Sequence, residues 1–216
     1  MQKRHISQAI IRRLPRYYRY VLDLYRQGVE RVSSRELSQL MDITASQIRQ
    51  DFNCFGGFGQ QGYGYNVKYL YEQLSLILGL DREYNAIILG AGNLGRALLH
   101  NFSFDTPIFK FSAAFDTSPS VVGKTLGGVP VRDISELEDY ISANKPDIAV
   151  FCVPQSAAAA LAARLEATSI KGIWNFTNLE FSLSNDDIYV ENVHFSDSLI
   201  NVFYNISGEG RTASEK

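Results

Sequence analysis

The feature that most constrains this chain is a strand-to-helix turn built on three glycines. Ala86-Ile87-Ile88-Leu89 is a short apolar run that reads as a buried strand. It leads directly into Gly90-Ala91-Gly92-Asn93-Leu94-Gly95, and Arg96 to His100 continue as a helix. A second apolar run, Phe109 to Phe115, ends on Asp116, 21 positions past Gly95. Strand, G-x-G-x-x-G, helix, strand and acid make up the fingerprint of a dinucleotide-binding βαβ unit. Gly90 permits the tight turn. Gly92 lacks a Cβ, so a pyrophosphate can approach the backbone. Gly95 lets the helix lie close on the strand. The free N–H groups and the positive helix end near Asn93 face the phosphates. Asp116 can accept hydrogen bonds from an adenosine ribose, and its charge repels a 2′-phosphate, which favours NADH and NAD+ over their phosphorylated counterparts. Glycines alone would equally serve a tight turn with no ligand; the full context is what points to a dinucleotide.

The 216 residues suffice for one domain or two with a sizeable core, and 45% apolar content is ordinary for a globular protein. No run is long and apolar enough to span a bilayer, and the first residues lack a signal-peptide apolar stretch, so a cytoplasmic protein with no membrane partner is expected. Cys54 and Cys152 have no metal or redox spacing. Cys152 reads as a small core residue, and Cys54 as a reactive thiol or a partly buried bystander. The net charge of −2 is unevenly spread: residues 1–80 carry +5 and the remainder −7. This asymmetry suggests two domains, the first facing a polyanion.

Residues 1–80 read as mostly helical. Ser7 is placed to cap a short helix through Arg13, and Pro15 suits the first turn of a second helix ending at Gly28. Ser33 with Glu36 has the form of a capping box, and so does Thr44 with Gln47; Asp42-Ile43 makes the tight turn between them. Two short helices joined in this way form a helix-turn-helix. On the second, Ala45, Ile48 and Phe52 share an inward side, while Ser46, Arg49, Gln50 and Asn53 share the other. Those polar side chains suit base edges and phosphates: Arg49 can fork onto guanine, and Gln50 or Asn53 can pair with adenine. The glycine-aromatic ribbon from Phe55 to Tyr65 cannot be helical. It reads as a β-hairpin wing with Gln60 and Gln61 at its tip, followed by a helix from Val67 to Leu78. Helix-turn-helix plus wing describes a winged-helix DNA reader. A small helical interaction domain with a solvated basic face is the plainer alternative.

Beyond Tyr84 strands alternate with helices, which implies a Rossmann-like parallel sheet covered on both faces. After the turn from Gly123 to Gly128 come a short strand at Val129–Val131, a helix over Ile134–Ala143, a strand over Asp147–Val153, a helix over Ala157–Ala167 and strands at Lys171–Phe176 and Asp187–Val193. Ligands in such sheets sit at the strand C-termini. Val153, Pro154-Gln155 and Asn175-Phe176-Thr177 are therefore candidates to line the nicotinamide side, or else merely shape loops. Ser196 is placed to cap a last helix, Asp197–Ile206, whose Leu199, Ile200, Phe203 and Tyr204 need covering by another domain or subunit. The fold class is thus α/β: a winged-helix domain over 1–80, a Rossmann-like domain over 81–195, a C-terminal helix over 196–207 and a mobile tail over 208–216.

No catalytic residue and no metal site are expected. His5, His100 and His194 are far apart, no nucleophile motif or Walker A sequence appears, and one helix is too little for a substrate domain. The nucleotide reads as a signal rather than a reagent.

From about Ser7 to Ile206 the chain resembles the redox-sensing transcriptional repressor family Rex. The residues that carry the likeness are Arg13-Leu14-Pro15-Arg16-Tyr17, Val32 to Leu37, Thr44 to Phe52, Phe55 to Tyr65, Gly90 to Gly95 and Ile170 to Phe176. The resemblance implies a homodimer on a palindromic double-stranded operator, reading the NADH/NAD+ ratio, with NADH releasing DNA. It implies a C-terminal helix exchanged between subunits and a Phe195 ring against the nicotinamide. DNA contacts are then expected from Arg12, Arg16, Ser46, Gln47, Arg49, Gln50, Asn53, Gln60, Gln61, Gly62 and Tyr63. Cofactor contacts are expected from Gly90, Ala91, Gly92, Asn93, Leu94, Gly95, Asp116, Val153, Pro154, Asn175 and Phe195. The chain departs from the family pattern at Gln50 and Gln61, where basic residues are usual, and at Cys54, where an aromatic is. It also has Asn101 and His194 where some members carry a Tyr and an Asp, so the hydrogen-bond relay of those members does not carry over. Two other readings remain: a small NAD-dependent oxidoreductase with an N-terminal assembly domain, and a coenzyme A binder on a related fold.

Overall fold

Leu14, Tyr17, Tyr18, Val21 and Leu22 recur at helical spacing and are buried along one face of α1 (Gln8–Arg26), which continues through Pro15. The sequence predicts two helices meeting there, and the structure corrects this. An internal proline costs about 3 kcal/mol; an unbroken apolar face sunk into a core offsets it, because packing overrides local propensity. Ser7 stands at the N-cap position without a side-chain cap bond. The structure, a computed structural model, describes residues 6–60, 63–102 and 108–207, with only the backbone of Gln60 described. The chain separates into two units, Met1–Arg82 and Glu83–Lys216.

In the first unit α1 is followed by β1 (Arg31–Val32), α2 (Ser34–Met41), α3 (Ala45–Asn53), β2 (Gly59–Gln60), β3 (Gly64–Asn66) and α4 (Val67–Ile77). The capping box that opens α2 is complete: Glu36 N–H donates to Ser33 Oγ at 3.1 Å, and Ser33 N–H donates to the Glu36 carboxylate at 2.7 Å. Asp42, in the left-handed region at φ 51, ends α2. Thr44 Oγ1 accepts from Gln47 N–H at 3.2 Å to start α3. β2 and β3 pair antiparallel, Gly59 opposite Tyr65, and β1 joins the other side of β3. Two residues are too few to announce a strand, and β1 exists only because β3 offers it a partner. The core gathers Leu14, Tyr17, Leu37, Met41, Ile48, Phe52, Leu70 and Leu74, all 2% exposed or less.

The second unit runs β4 (Tyr84–Leu89), α5 (Asn93–Asn101), β5 (Phe109–Asp116), β6 (Thr125–Leu126), β7 (Val129–Asp133), a 3-10 turn at Ile134–Glu136, α6 (Leu137–Asn144), β8 (Ile148–Phe151), α7 (Gln155–Leu165), β9 (Gly172–Asn175), β10 (Tyr189–Asn192) and α8 (Phe195–Ile206). The sheet order is β10-β9-β8-β4-β5-β7-β6, parallel except for the antiparallel β6–β7 pair. β4 is central, and successive strands build outward on one side before β8 starts the other. The crevice between the C-termini of β4 and β8 is therefore the switch point at which such sheets take ligands. One face, with Ile87, Leu89, Phe115 and Phe151, is sealed by Leu137 and Ile141 of α6 and by Ala158, Leu161 and Leu165 of α7. Among the described residues the other is less completely covered, which departs from the expectation of two closed faces. Leu98 and Leu99 of α5 pack on it, but Phe109, Phe111, Ile148, Trp174 and Phe176 remain only half-buried.

The sequence-predicted last helix begins two residues early, with His194 rather than Ser196 as N-cap. None of its residues is buried, and Leu199, Ile200, Phe203 and Tyr204 are each more than half exposed. The expected tail over 208–216 lies outside the described residues.

Candidate nucleotide and nucleic-acid sites

The glycine turn closes over the switch point. Gly90 has φ 98, and a Cβ there would stand 2.7 Å from the Cys152 carbonyl oxygen, just past the end of β8. A Cβ on Gly95 would stand 2.0 Å from the Gly90 oxygen, an impossible contact, so helix and turn can meet only without a side chain. Gly92 differs: nothing lies within 4 Å of where its Cβ would be. That opening stands at the first turn of α5, which has no side-chain cap and no acidic residue. Unclaimed N–H groups and an open approach are what an anionic group needs.

Around the turn, Asp116 accepts Ala91 N–H at 2.7 Å through Oδ2 and Ser118 N–H at 2.8 Å through Oδ1. The carboxylate thus lies against the inner side of the turn. Each oxygen keeps a further lone pair able to accept another donor. Val153 approaches Gly90, its Cγ1 3.0 Å from that glycine's absent Cβ, and Pro154 stands at the start of α7, another helix without a side-chain cap. Cys152 is shielded there, and burial pushes its thiol up to about 12. Phe176, immediately after β9, stacks on Phe195 at 6.0 Å between ring centres and 28° between planes. Asn175 has another occupation. Its Nδ2 donates to the Leu179 carbonyl and to Asn192 Oδ1, each at 2.7 Å, and its Oδ1 accepts from Thr177 N–H and Oγ1. A fully buried amide with those bonds shapes the loop at the strand ends, the second of the two roles the sequence leaves open for it.

In the first unit, Ser46, Arg49, Gln50 and Asn53 form the exposed side of α3, while Ile48 and Phe52 are buried. Arg49 Nη1 donates to Ser34 Oγ at 2.9 Å, which ties it to the start of α2. Arg12 is exposed. Arg16 is also exposed, but its guanidinium donates to the Met41 carbonyl at the end of α2, so it braces the two helices. Gln47 completes no capping box; its Nε2 donates instead to Asp51 at 2.8 Å. Tyr63 projects at the wing, 71% exposed, and its carbonyl accepts from Arg31. Gln61 and Gly62 lie outside the described residues.

Sequence reasoning missed the centre of this unit. Asp51 is fully buried and accepts from Arg13 Nε at 2.7 Å and Nη2 at 2.8 Å, from the Tyr17 hydroxyl at 2.6 Å and from Gln47. Burial pushes its carboxyl up, but the bonds from Arg13, Tyr17 and Gln47 outweigh this and hold it below the ordinary value. The Tyr17 hydroxyl is correspondingly raised, by burial and by the same carboxylate. Asp51 sits between Gln50 and Phe52 with nothing local to mark it; its partners Arg13 and Tyr17 are 38 and 34 positions away.

Comparison with known proteins settles what the two units amount to. Residues 5–53 match the family described as putative DNA-binding protein N-terminus, and residues 81–179 the CoA binding domain. The redox-sensing transcriptional repressor Rex of Thermoanaerobacter pseudethanolicus is 51% identical over 208 residues, 96% of this chain and 92% of that protein. This chain belongs to the Rex family. The Rex of Clostridium tetani is 47% identical over 94% of this chain and 96% of its own length. The crystal structure of RSP in complex with beta-NAD+ and operator DNA is 50% identical, with a TM-score of 0.89 over 98% of this chain and 97% of that one. RSP in complex with beta-NADH is 47% identical, with a TM-score of 0.87 over 99% of this chain and all of that one. Rex proteins are transcriptional repressors, so the oxidoreductase alternative falls. No described helix is long and apolar enough to cross a membrane.

Proposed function

We propose that this chain is an operator-binding repressor whose hold on DNA is set by the redox state of NAD, acting in the cytoplasm as a homodimer. The observation that carries the reading is the turn at Gly92: an open approach to an uncapped helix start, at the switch point of the sheet, with Asp116 behind it. Gly90 to Gly95 and Asp116 hold the adenosine and phosphates, with Val153 and Pro154 at the crevice wall. Asn175 positions the neighbouring loop. Phe176 and Phe195 offer a pair of stacked aromatic rings for the nicotinamide; Phe195 is 62% exposed in the single chain, and the place becomes poorly hydrated once the partner subunit covers it.

That place discriminates by charge. The oxidised nicotinamide is positively charged and the reduced ring is neutral, so desolvation penalises the oxidised form more. If the DNA-releasing state of the dimer takes up the reduced form better, NADH draws the population toward that state. In a twofold dimer this shifts two recognition helices away from the roughly 34 Å half-site spacing of the major groove. Ser46, Arg49, Gln50 and Asn53 read base edges; Arg12 and the wing from Gln60 to Tyr63 reach the backbone and minor groove. The face of α8 that is exposed in the single chain is, in this reading, covered by exchange with the partner subunit.

Selection of bound DNA from a random pool, with and without NADH, tests this. A palindrome enriched without NADH and lost with it is the expected result. Operator affinity unchanged by saturating NADH in gel shifts overturns it. The match of residues 81–179 to a CoA binding domain favours coenzyme A as a second candidate ligand. Calorimetry with NADH, NAD+ and coenzyme A decides between them.

A further inference from the structure

The nucleotide turn has a second charged neighbour that the glycine fingerprint does not include. Arg96, directly after Gly95 and exposed in the first turn of α5, donates its Nε–H to the Ala91 carbonyl at 3.0 Å. The N–H of that same residue donates to Asp116 Oδ2 at 2.7 Å. Ala91 is therefore held at both its polar atoms, on one side by an anion and on the other by a cation. It is the residue between Gly90 and Gly92, so fixing it fixes the direction in which the next N–H groups point. The two Nη groups of Arg96 make no hydrogen bond among the described residues. They lie on the same planar group as the Nε that is fixed at Ala91, the residue directly before Gly92.

We infer that Arg96 is a positioning residue for the diphosphate of the bound dinucleotide: it sets the Ala91–Gly92 backbone through Nε and leaves its Nη fork for phosphate oxygens. The inference rests on the reading of the turn as an NAD site. Arginine suits the task because one planar cation can bond a carbonyl and an anion at once, whereas a lysine is a single point charge. The ligand chemistry recognised is the diphosphate linkage, independent of the oxidation state of the nicotinamide.

The test is calorimetry on the full chain with NADH, NAD+ and ADP-ribose, with adenosine measured in competition against NADH. Wild type, Arg96→Gln and Arg96→Lys are compared, and the thermal midpoint of each ligand-free protein is recorded. Arg96→Gln is expected to weaken NADH, NAD+ and ADP-ribose by a common factor of about tenfold, to change adenosine by less than twofold and to leave the midpoint unmoved. Arg96→Lys is expected between the two. Equal losses for adenosine together with a lowered midpoint would mean a merely structural arginine, and overturn the inference. A loss confined to NADH, sparing ADP-ribose, would place Arg96 at the nicotinamide and overturn it as well. If wild type binds the probes and Arg96→Gln binds them equally, the inference fails alone. If wild type binds none of them, the NAD reading fails and takes the inference with it.

Discussion

Each unit of this chain is organised around one aspartate, and the two are used in opposite ways. Asp51 is fully buried, and its partners are the side chains of Arg13, Tyr17 and Gln47. Asp116 is half-buried, and its partners are the backbone N–H groups of Ala91 and Ser118. The first carboxylate is enclosed by side chains from α1 and α3 and fastens those helices together. The second is held by the turn it supports and stays open on its outer side. The side-chain donors around Asp51 fasten two helices, whereas the main-chain donors on Asp116 align it at a strand end, where we propose it binds the ribose.

The largest effect that sharpens this contrast is expected from Asp51→Ala. It leaves the Arg13 charge, the Tyr17 hydroxyl and the Gln47 amide without their shared acceptor. Breaking a buried ion pair by removing one partner costs about 3–5 kcal/mol. Urea unfolding should show the first unit destabilised by that order and operator binding lost, with NADH binding retained by the second unit. Asp116→Ala should do the reverse. Hydrogen bonds to charged groups contribute about 1.5–3 kcal/mol, and a loss of that size is expected in calorimetry of NADH, with release from DNA blunted and operator affinity without NADH unchanged. Should Asp116→Ala instead abolish DNA binding in the absence of ligand, the division of labour between the two aspartates would be wrong.

Arg49→Ala probes the outward side of α3, which Asp51 anchors from within. Loss of a forked contact to one base costs about 1–3 kcal/mol at that position. Selection from a random pool should therefore show one symmetric pair of operator positions relaxed, while thermal stability and NADH binding stay as in wild type. Uniform weakening across all sequences would assign Arg49 to phosphate. Ser34, which accepts from Arg49 at 2.9 Å, should contribute a smaller part of the same effect.

What was legible in the sequence is what local chemistry dictates. A glycine turn between an apolar run and a helix can hardly be anything else, and Gly90 and Gly95 stand where a Cβ would strike backbone atoms. Ser33 with Glu36 specifies a helix start within four residues. What was not legible depends on partners far along the chain. β1 exists because β3 pairs with it, α1 survives Pro15 because its apolar face has a core to enter, and Gln47 forgoes its capping box because Asp51 needs a donor. Asn175 is legible as a residue at the right strand end, but its neighbours do not announce its bonds to Leu179 and Asn192 across the loop. In the sequence Arg96 reads only as a helix former, since nothing in its position announces a bond back to Ala91.

The two units should also fail at opposite ends of the pH scale, through groups perturbed in opposite directions. Asp51 has its folded value held below that of a free carboxyl, about 3.9, so the folded state favours the ionised form more than the unfolded chain does. The resulting stability is fully present above that value and is lost in acid, as pH falls through the lower folded value. Cys152 is the converse case: burial raises its thiol to about 12, so the folded state keeps a proton that the unfolded chain gives up in moderate alkali. Its contribution is intact below the unfolded value, near 8.5, and declines above it by up to about 1.4 kcal/mol per pH unit until the folded thiol itself ionises. Unfolding followed by Trp174, in the second unit, should therefore show a loss of about 1–2 kcal/mol between pH 8.5 and 10 that Cys152→Ala removes. Acid unfolding of the first unit should be indifferent to that substitution and should lose part of its pH slope in Asp51→Asn. If Cys152→Ala leaves the alkaline slope unchanged, the thiol beside the nucleotide turn is not shielded as its surroundings indicate, and that turn is wetter in solution than the open approach at Gly92 alone would make it.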